Sequence, residues 1–296
     1  MIQNFSSKLL LFGEYSIIKG SKGLAIPFNK FSGKLVKAKN ADDIKESLKL
    51  DDLFNFVKGS GILSRVLDMK SFEADIKDGL FFDSNIPLGH GVGSSGALCA
   101  SLYYRYAYDF ERKTKFKKDE LKCLQDFMAL MESYYHGSSS GLDCLISLIN
   151  RPILIESRNN LKEIDVPDLD YFGHFYLYET DIIRKTGPLV HEFLSDYENN
   201  QDFRQGFEEF MRLTNTTIDS LVGKNKEEFV NGFNQISRNQ YLHFSKMIPD
   251  GIKEFWLEGL EKKDFFVKLC GAGGGGFFLV YSPYEKLSKP NLIEIR

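Results

Sequence analysis

Short apolar runs alternate along this chain with amphipathic, charge-rich stretches, and glycine clusters break them up. KLLLF (8–12) and KGLAIPF (22–28) predict strands on either side of a GEYSIIKG connection. Over 40–70 the apolar residues Ile44, Leu48, Leu53, Phe56 and Val57 recur at helical spacing among charges, which predicts helices. Residues 71–76 alternate instead. Phe72, Ala74 and Ile76 fall on one face and Glu73, Asp75 and Lys77 on the other, which predicts a strand. Asp78-Gly79 then reads as a hairpin turn, with LFFDSN as the returning strand.

A helix is expected over ALCASLYYRYAYDF, where Ala97, Ala100 and Ser101 permit close packing. A second helix over 118–135 stops at Gly137, a third begins within SSSGLDCLISLIN, and RPILIES returns as a strand. SRNNLKEIDVPDLD (157–170) is polar and irregular and marks a change of section. Beyond it come a strand over HFYLYET, mostly helix over 187–245, and a strand–glycine loop–strand ending, DFFVKLC-GAGGGG-FFLVYS. Mixed elements joined by a hairpin predict an α+β fold with a largely antiparallel sheet.

The length of 296 residues fits two domains. A net charge of −3 gives no reason to expect nucleic acid or an anionic membrane as partner. No apolar run approaches the roughly 20 residues that cross a bilayer. The N-terminus lacks a basic region ahead of its apolar run, so no signal peptide is expected. The four cysteines form no CxxC pair, and the five histidines show no ligand spacing. Together these predict a cytoplasmic protein without a transition-metal site. The 26 Phe and 14 Tyr leave room for exposed rings and a homodimer as well as a monomer.

IPLGHGVGSSGA (86–97) follows a predicted strand and opens a predicted helix. Glycines at 89, 91 and 93 remove the Cβ barrier and allow positive φ, so backbone N–H groups at the helix start can face an anion. Ser94 and Ser95 can cap the helix, bond phosphate oxygens or ligate Mg²⁺. No Gly-Lys-Ser/Thr follows, which excludes a Walker A loop, and the spacing is not a dinucleotide fingerprint. Glu132 sits near the end of its helix, where the dipole disfavours a carboxylate; it reads either as a solvated glutamate or as one that faces a cation. Asp143 stands three residues after Ser140, a spacing that a capping box alone would explain.

KLLLFGEYSIIKG, IPLGHGVGSSGA and KLCGAGGGGFF, in this order, resemble the three signatures of the GHMP kinases. The resemblance spans nearly the whole chain. It implies an N-terminal α+β domain like part of a ribosomal protein, over 1–166, and a ferredoxin-like C-terminal domain over 167–296. It implies ATP held by Gly89, Gly91, Gly93, Ser94, Ser95 and Gly96, with Gly271, Gly273 and Gly274 of the third motif supporting the site. MESYYHGSSSGLD (131–143) resembles a mevalonate kinase segment with the same eleven-residue step from Glu to Asp. That implies Glu132 and Ser95 as Mg²⁺ ligands and Asp143 as the catalytic carboxylate, with Lys8 beside it. DIIRKTGPLV resembles another such segment and brings Thr186 and Arg184 to the substrate, alongside Glu14, Tyr15, His136 and Ser140.

The chain departs from the pattern at Ser6-Ser7, where Pro-Gly is usual, at Tyr15 in place of histidine, and at Leu88 in place of proline. The activity implied is phosphorylation of a small alcohol, with mevalonate first and phosphomevalonate as rival. A phosphorylated substrate would call on Lys19, Lys22, Arg184 and Lys185. A non-catalytic sensor would have lost Lys8, Ser95, Glu132 or Asp143, and all four are present.

Overall fold

Strand β1 (Phe5–Phe12) and the long β2 (Gly23–Lys37) are built from the opening apolar runs. The computed structural model describes residues 3–111, 113, 115–157, 160–183 and 186–295, with the backbone alone at Ala41 and Thr186. The chain divides into two units. One comprises Met1–Lys8, Ile26–Pro87 and Val92–Arg151; the other comprises Leu9–Ala25, Leu88–Gly91 and Pro152–Arg296.

In the first unit α1 (Ala41–Gly59) starts at Asn40, whose side chain accepts from the amides of Asp42 and Asp43. The short α2 (Leu63–Val66) and then α3 (Met69–Lys77) follow. The alternating stretch 71–76 is therefore helix, not strand. Asp68 caps it by accepting from the Ser71 amide, and Phe72 and Ile76, one helical turn apart, are the buried positions while Ala74 is exposed. Short alternation satisfied both periods; the cap and the four-residue spacing decided between them. Gly79 turns the chain with φ 79° into β3 (Leu80–Ser84), which pairs antiparallel with the far end of β2, Leu35 opposite Phe82. Three helices complete the unit: α4 (Ser94–Tyr106), α5 (Lys118–His136, ended by Gly137) and α6 (Leu142–Ile149). Ala97, Ala100, Leu102, Met128, Met131, Leu145 and Ile146 are fully enclosed at their core.

The second unit includes the hairpin β4 (Ile153–Ser157) and β5 (Asn160–Glu163), the latter inside the stretch expected to be irregular. Leu161 is the buried residue that makes it a strand. The sheet runs β1-β2-β4-β5, with β3 on β2. Next come β6 (His174–Glu179), α7 (Thr186–Asn199), α8 (Gln201–Val222), α9 (Lys226–His243), α10 (Asp250–Lys262), β7 (Phe266–Leu269), β8 (Phe277–Ser282) and β9 (Leu292–Ile295). Helix α10 and strand β9 were not anticipated from the sequence. The second sheet has the order β7-β8-β6-β9, and its pairings are antiparallel, as expected of this fold class. Much of the aromatic content lies inside: Phe172, Phe193, Phe207, Phe210, Phe229, Phe233, Phe244 and Trp256 are fully buried. Among the described residues no helix is long and apolar enough to cross a membrane.

The helical assignment of 69–77 predicts unequal costs along it. Phe72 stacks on Tyr106 with centroids 4.7 Å apart. Phe72→Ala should lower unfolding free energy by about 3–5 kcal/mol, whereas Ala74→Gln should stay within about 0.5 kcal/mol. Denaturant midpoints of the two variants check this; a large loss at Ala74 would restore the strand.

Candidate active site

The pairing of Lys8 with Asp143 is set by two elements of the first unit. Lys8 lies on β1 and its amide donates to the carbonyl of Val92 at 3.0 Å, which fastens the strand beside the glycine loop. Asp143 lies in the first turn of α6. The residue before that helix is Gly141, with φ 69°, and no side chain caps it. The Ser140–Asp143 spacing is thus not a capping box. Ser140 Oγ accepts only a long 3.4 Å bond from the Leu142 amide, while the Asp143 carboxylate reaches Lys8 Nζ at 3.0 Å. Lys8 is nearly enclosed and Asp143 is 30 % exposed, so the pair has one open side.

Gly89, Gly91 and Gly93 all have positive φ, between 76° and 83°. What comes close to this backbone is in part the protein itself. A Cβ on Gly93 would lie 3.1 Å from Lys8 Cγ and 3.5 Å from Asp143 Oδ2. One on Gly96 would lie 2.8 Å from the Asp143 carbonyl carbon. Gly93 is also the residue before α4, and no side chain caps that helix, so neither Ser94 nor Ser95 is a cap. The first-turn amides stay open to an anion, with the helix dipole behind them.

Glu132 is not a solvated glutamate. It is 4 % exposed. Ser95 Oγ donates to one carboxylate oxygen at 2.8 Å and Ser139 Oγ to the other, and Ser95 Oγ also lies 3.1 Å from His136 Nε2. Among the described residues no Lys, Arg or His forms an ion pair with Glu132. A buried carboxylate with only hydroxyl donors lacks a countercharge, and an oxygen-ligated cation would supply one. The site residues named from the sequence in this unit, Lys8, Ser95, Glu132, His136 and Asp143, thus form two bonded groups. Ser139 was missed; its only sequence signal was membership of the SSS run. It also accepts from the Gly141 amide at 3.0 Å and so links Glu132 to the turn before α6.

In the second unit the expectations for Glu14 and Tyr15 need correction. Both were expected to face the substrate. Glu14 is completely enclosed and paired with Lys268 of β7, whose ammonium also donates to the carbonyls of Leu11 and Leu269 at 2.9 and 2.7 Å. Burial pushes the Glu14 carboxyl up from its ordinary range, against the pull of the Lys268 charge. Tyr15 stacks on Phe193 with centroids 4.6 Å apart and donates to the Ala272 carbonyl at 2.6 Å. Both residues hold the third motif in place. Its glycines meet backbone: a Cβ on Gly273 would lie 2.5 Å from the Met247 carbonyl oxygen. On Gly274 it would meet the Leu189 side chain at 2.5 Å. Gly271 has φ 92°. In the second motif Gly89 makes room for Ile183. Thr186 is the first residue of α7. Arg184 lies outside the described residues.

This ordered set, a positive-φ glycine loop, an uncapped helix start and a Lys–Asp pair beside it, agrees with the sequence comparison. Residues 55–151 match the N-terminal domain model of the GHMP kinases. Residues 55–151 therefore carry the GHMP kinase N-terminal domain. The fold agrees along the rest of the chain. L. major mevalonate kinase, solved with R-mevalonate, is 15 % identical; the match covers 96 % of this chain and 88 % of that one, with a TM-score of 0.63. Mevalonate kinase from methicillin-resistant Staphylococcus aureus is 20 % identical, with 96 % and 90 % covered and a TM-score of 0.60. Streptococcus pneumoniae phosphomevalonate kinase, solved with phosphomevalonate and AMPPNP, is 14 % identical, with 96 % and 93 % covered and a TM-score of 0.59. No curated protein sequence matches the chain. The chain has the GHMP kinase fold, and the family and these structures are small-molecule kinases.

The enclosed Glu14–Lys268 pair predicts a coupled effect on stability. Lys268→Met should cost about 3–5 kcal/mol, because it leaves Glu14 buried without its partner. Adding Glu14→Gln should recover a large part of that loss. A denaturant-based double-mutant cycle checks both; additive losses would mean that the two side chains do not act as a pair.

Proposed function

We propose that this GHMP kinase transfers the terminal phosphoryl group of ATP to the hydroxyl of a small alcohol, and that the alcohol is mevalonate. The observation that carries the reading is the Lys8–Asp143 pair, 3.0 Å apart, beside the uncapped start of α4. The second-motif loop, with Ser94, Ser95 and Gly96, cradles the phosphates through its amides. Asp143 accepts the proton of the attacking hydroxyl as the new O–P bond forms and the bond to the ADP oxygen breaks. Lys8 holds the carboxylate in place and offsets negative charge growing on the alcohol oxygen. Glu132 and Ser95 fit a Mg²⁺ ion, since their oxygens face each other and the carboxylate lacks a cation. Bound there, the ion would neutralise phosphate charge. The ATP-binding half corresponds to 1–166 and the remainder to 167–296. The enzyme works in the cytoplasm, as a monomer or homodimer, without nucleic acid or membrane.

Mevalonate is favoured over phosphomevalonate for two reasons. The HGSSSGLD and RKTGPLV segments follow the mevalonate kinase pattern. Two lysines that a phosphorylated substrate would need are also engaged. Lys22 Nζ bonds both Asp219 oxygens, at 2.5 and 2.7 Å, and Lys19 Nζ sits 4.0 Å from the centre of the Tyr197 ring.

An ADP-release assay with Mg-ATP should detect turnover on mevalonate and none on phosphomevalonate, diphosphomevalonate, homoserine or galactose. Turnover on phosphomevalonate alone would reassign the substrate, and ATP binding without any turnover would turn the reading to a sensor. Asp143→Asn should cut kcat by about 10²–10⁴-fold with ATP affinity kept. Glu132→Gln should shift the Mg²⁺ activation curve to higher concentration; an unmoved curve would remove Glu132 from the metal site.

A further inference from the structure

Helix α6 and its end read Leu-Asp-Cys-Leu-Ile-Ser-Leu-Ile-Asn, from 142 to 150. Its charged, hydroxyl and amide side chains are Asp143, Ser147 and Asn150, at i, i+4 and i+7. That spacing puts them in one stripe on an otherwise apolar helix. Each of the three meets the same short piece of β1. Asp143 pairs with Lys8 Nζ at 3.0 Å. Ser147 Oγ donates to the Ser6 carbonyl at 2.7 Å. Ser6 Oγ donates to Asn150 Oδ1 at 2.6 Å. Ser6 and Lys8 are two apart on a strand and so share a face, while Ser7 between them points the other way and donates to the Phe28 carbonyl at 2.9 Å. Asn150 ends the helix in the left-handed region, with φ 52°, where asparagine is tolerated better than most side chains. Ser6 and Ser7, the departure from the usual Pro-Gly, are therefore both engaged.

We propose that Ser6, Ser147 and Asn150 are positioning residues: they lock the register of α6 against β1 and thereby hold Asp143 at Lys8. The inference rests on the kinase reading given above. It goes beyond that reading because none of the three touches substrate or nucleotide there. Ser147 carries the largest share. Its bond is fully buried and lies one helical turn from Asp143, so losing it frees α6 to slide or rotate where Asp143 is attached.

The test is a kinetic double-mutant cycle on the full chain. Ser147→Ala should lower kcat by about 10–100-fold, the scale of a small misplacement of reacting groups. KM for ATP should change by less than about threefold. In the Asp143→Asn background the same substitution should have almost no further effect on kcat, since the group it positions is already disabled. Ser6→Ala should act in the same direction and Ser6→Thr, which keeps the hydroxyl, should restore turnover. Thr217→Val removes a buried hydroxyl of the other unit and should lower Tm without changing kcat. Wild-type kcat in Ser147→Ala would overturn the inference. So would equal multiplicative losses in both backgrounds, which mark a general structural defect. If the wild-type chain phosphorylates none of the alcohols, the kinase reading itself fails and the positioning role falls with it, an outcome the wild-type control identifies separately.

Discussion

Asp143 lies so close to α4 that its own backbone occupies the space where a side chain at Gly96 would begin. A Cβ there would come within 2.8–2.9 Å of Asp143 and the Cys144 amide nitrogen. This close approach is the constraint on which the arrangement of the first unit's candidate site depends. It brings a carboxylate to the start of a helix whose first amides have no side-chain cap. It also brings that carboxylate against β1, where Lys8 completes the pair. The glycines of the second motif thus serve two purposes. The positive φ values of Gly89, Gly91 and Gly93 shape a loop that leaves amides open, and the missing side chains at Gly93 and Gly96 let Asp143 and Lys8 come near.

Burial then sorts the carboxylates. Glu14 and Glu132 are both enclosed, yet their partners differ in kind. Glu14 has the ammonium of Lys268, two carbonyls share that ammonium, and the charge is balanced inside the fold. Such a pair is structural, because nothing else can reach it. Among the described residues Glu132 is bonded only by the hydroxyls of Ser95 and Ser139. Taking a carboxylate out of water without a cation is costly, and under the proposed kinase reading a bound cation would offset that cost. The contrast separates the residue that braces the third motif from the one that fits Mg²⁺.

The third motif shows how similar sequences of glycines can answer different demands. Its glycines face the carbonyls of Met247, Ile182 and His90 within their own unit. Tyr15 and the Glu14–Lys268 pair tie the first motif to it. The glycine content there follows from backbone packed on backbone, where any Cβ would collide. It needs no phosphate to explain it.

The antiparallel α+β class, the main strands, most of the helices and the three motifs were legible in the sequence, because periodicity and glycine position are local properties. Lys8, Ser95, Glu132 and Asp143 were named through the resemblance to the GHMP kinases, because spacing alone left Glu132 and Asp143 with ordinary structural readings. The sequence could not decide between readings that both satisfied local rules. Residues 71–76 alternate like a strand, but the Asp68 cap and the packing of Phe72 and Ile76 make them a helix. Ser140 and Asp143 have the spacing of a capping box, but Lys8, 135 residues before Asp143, claims the carboxylate. Glu14 stands in the first motif beside residues of the site, yet a lysine 254 residues away encloses it. Local spacing sets what each segment is able to form. Which charge meets which is decided only when distant strands and helices pack and remove those charges from water.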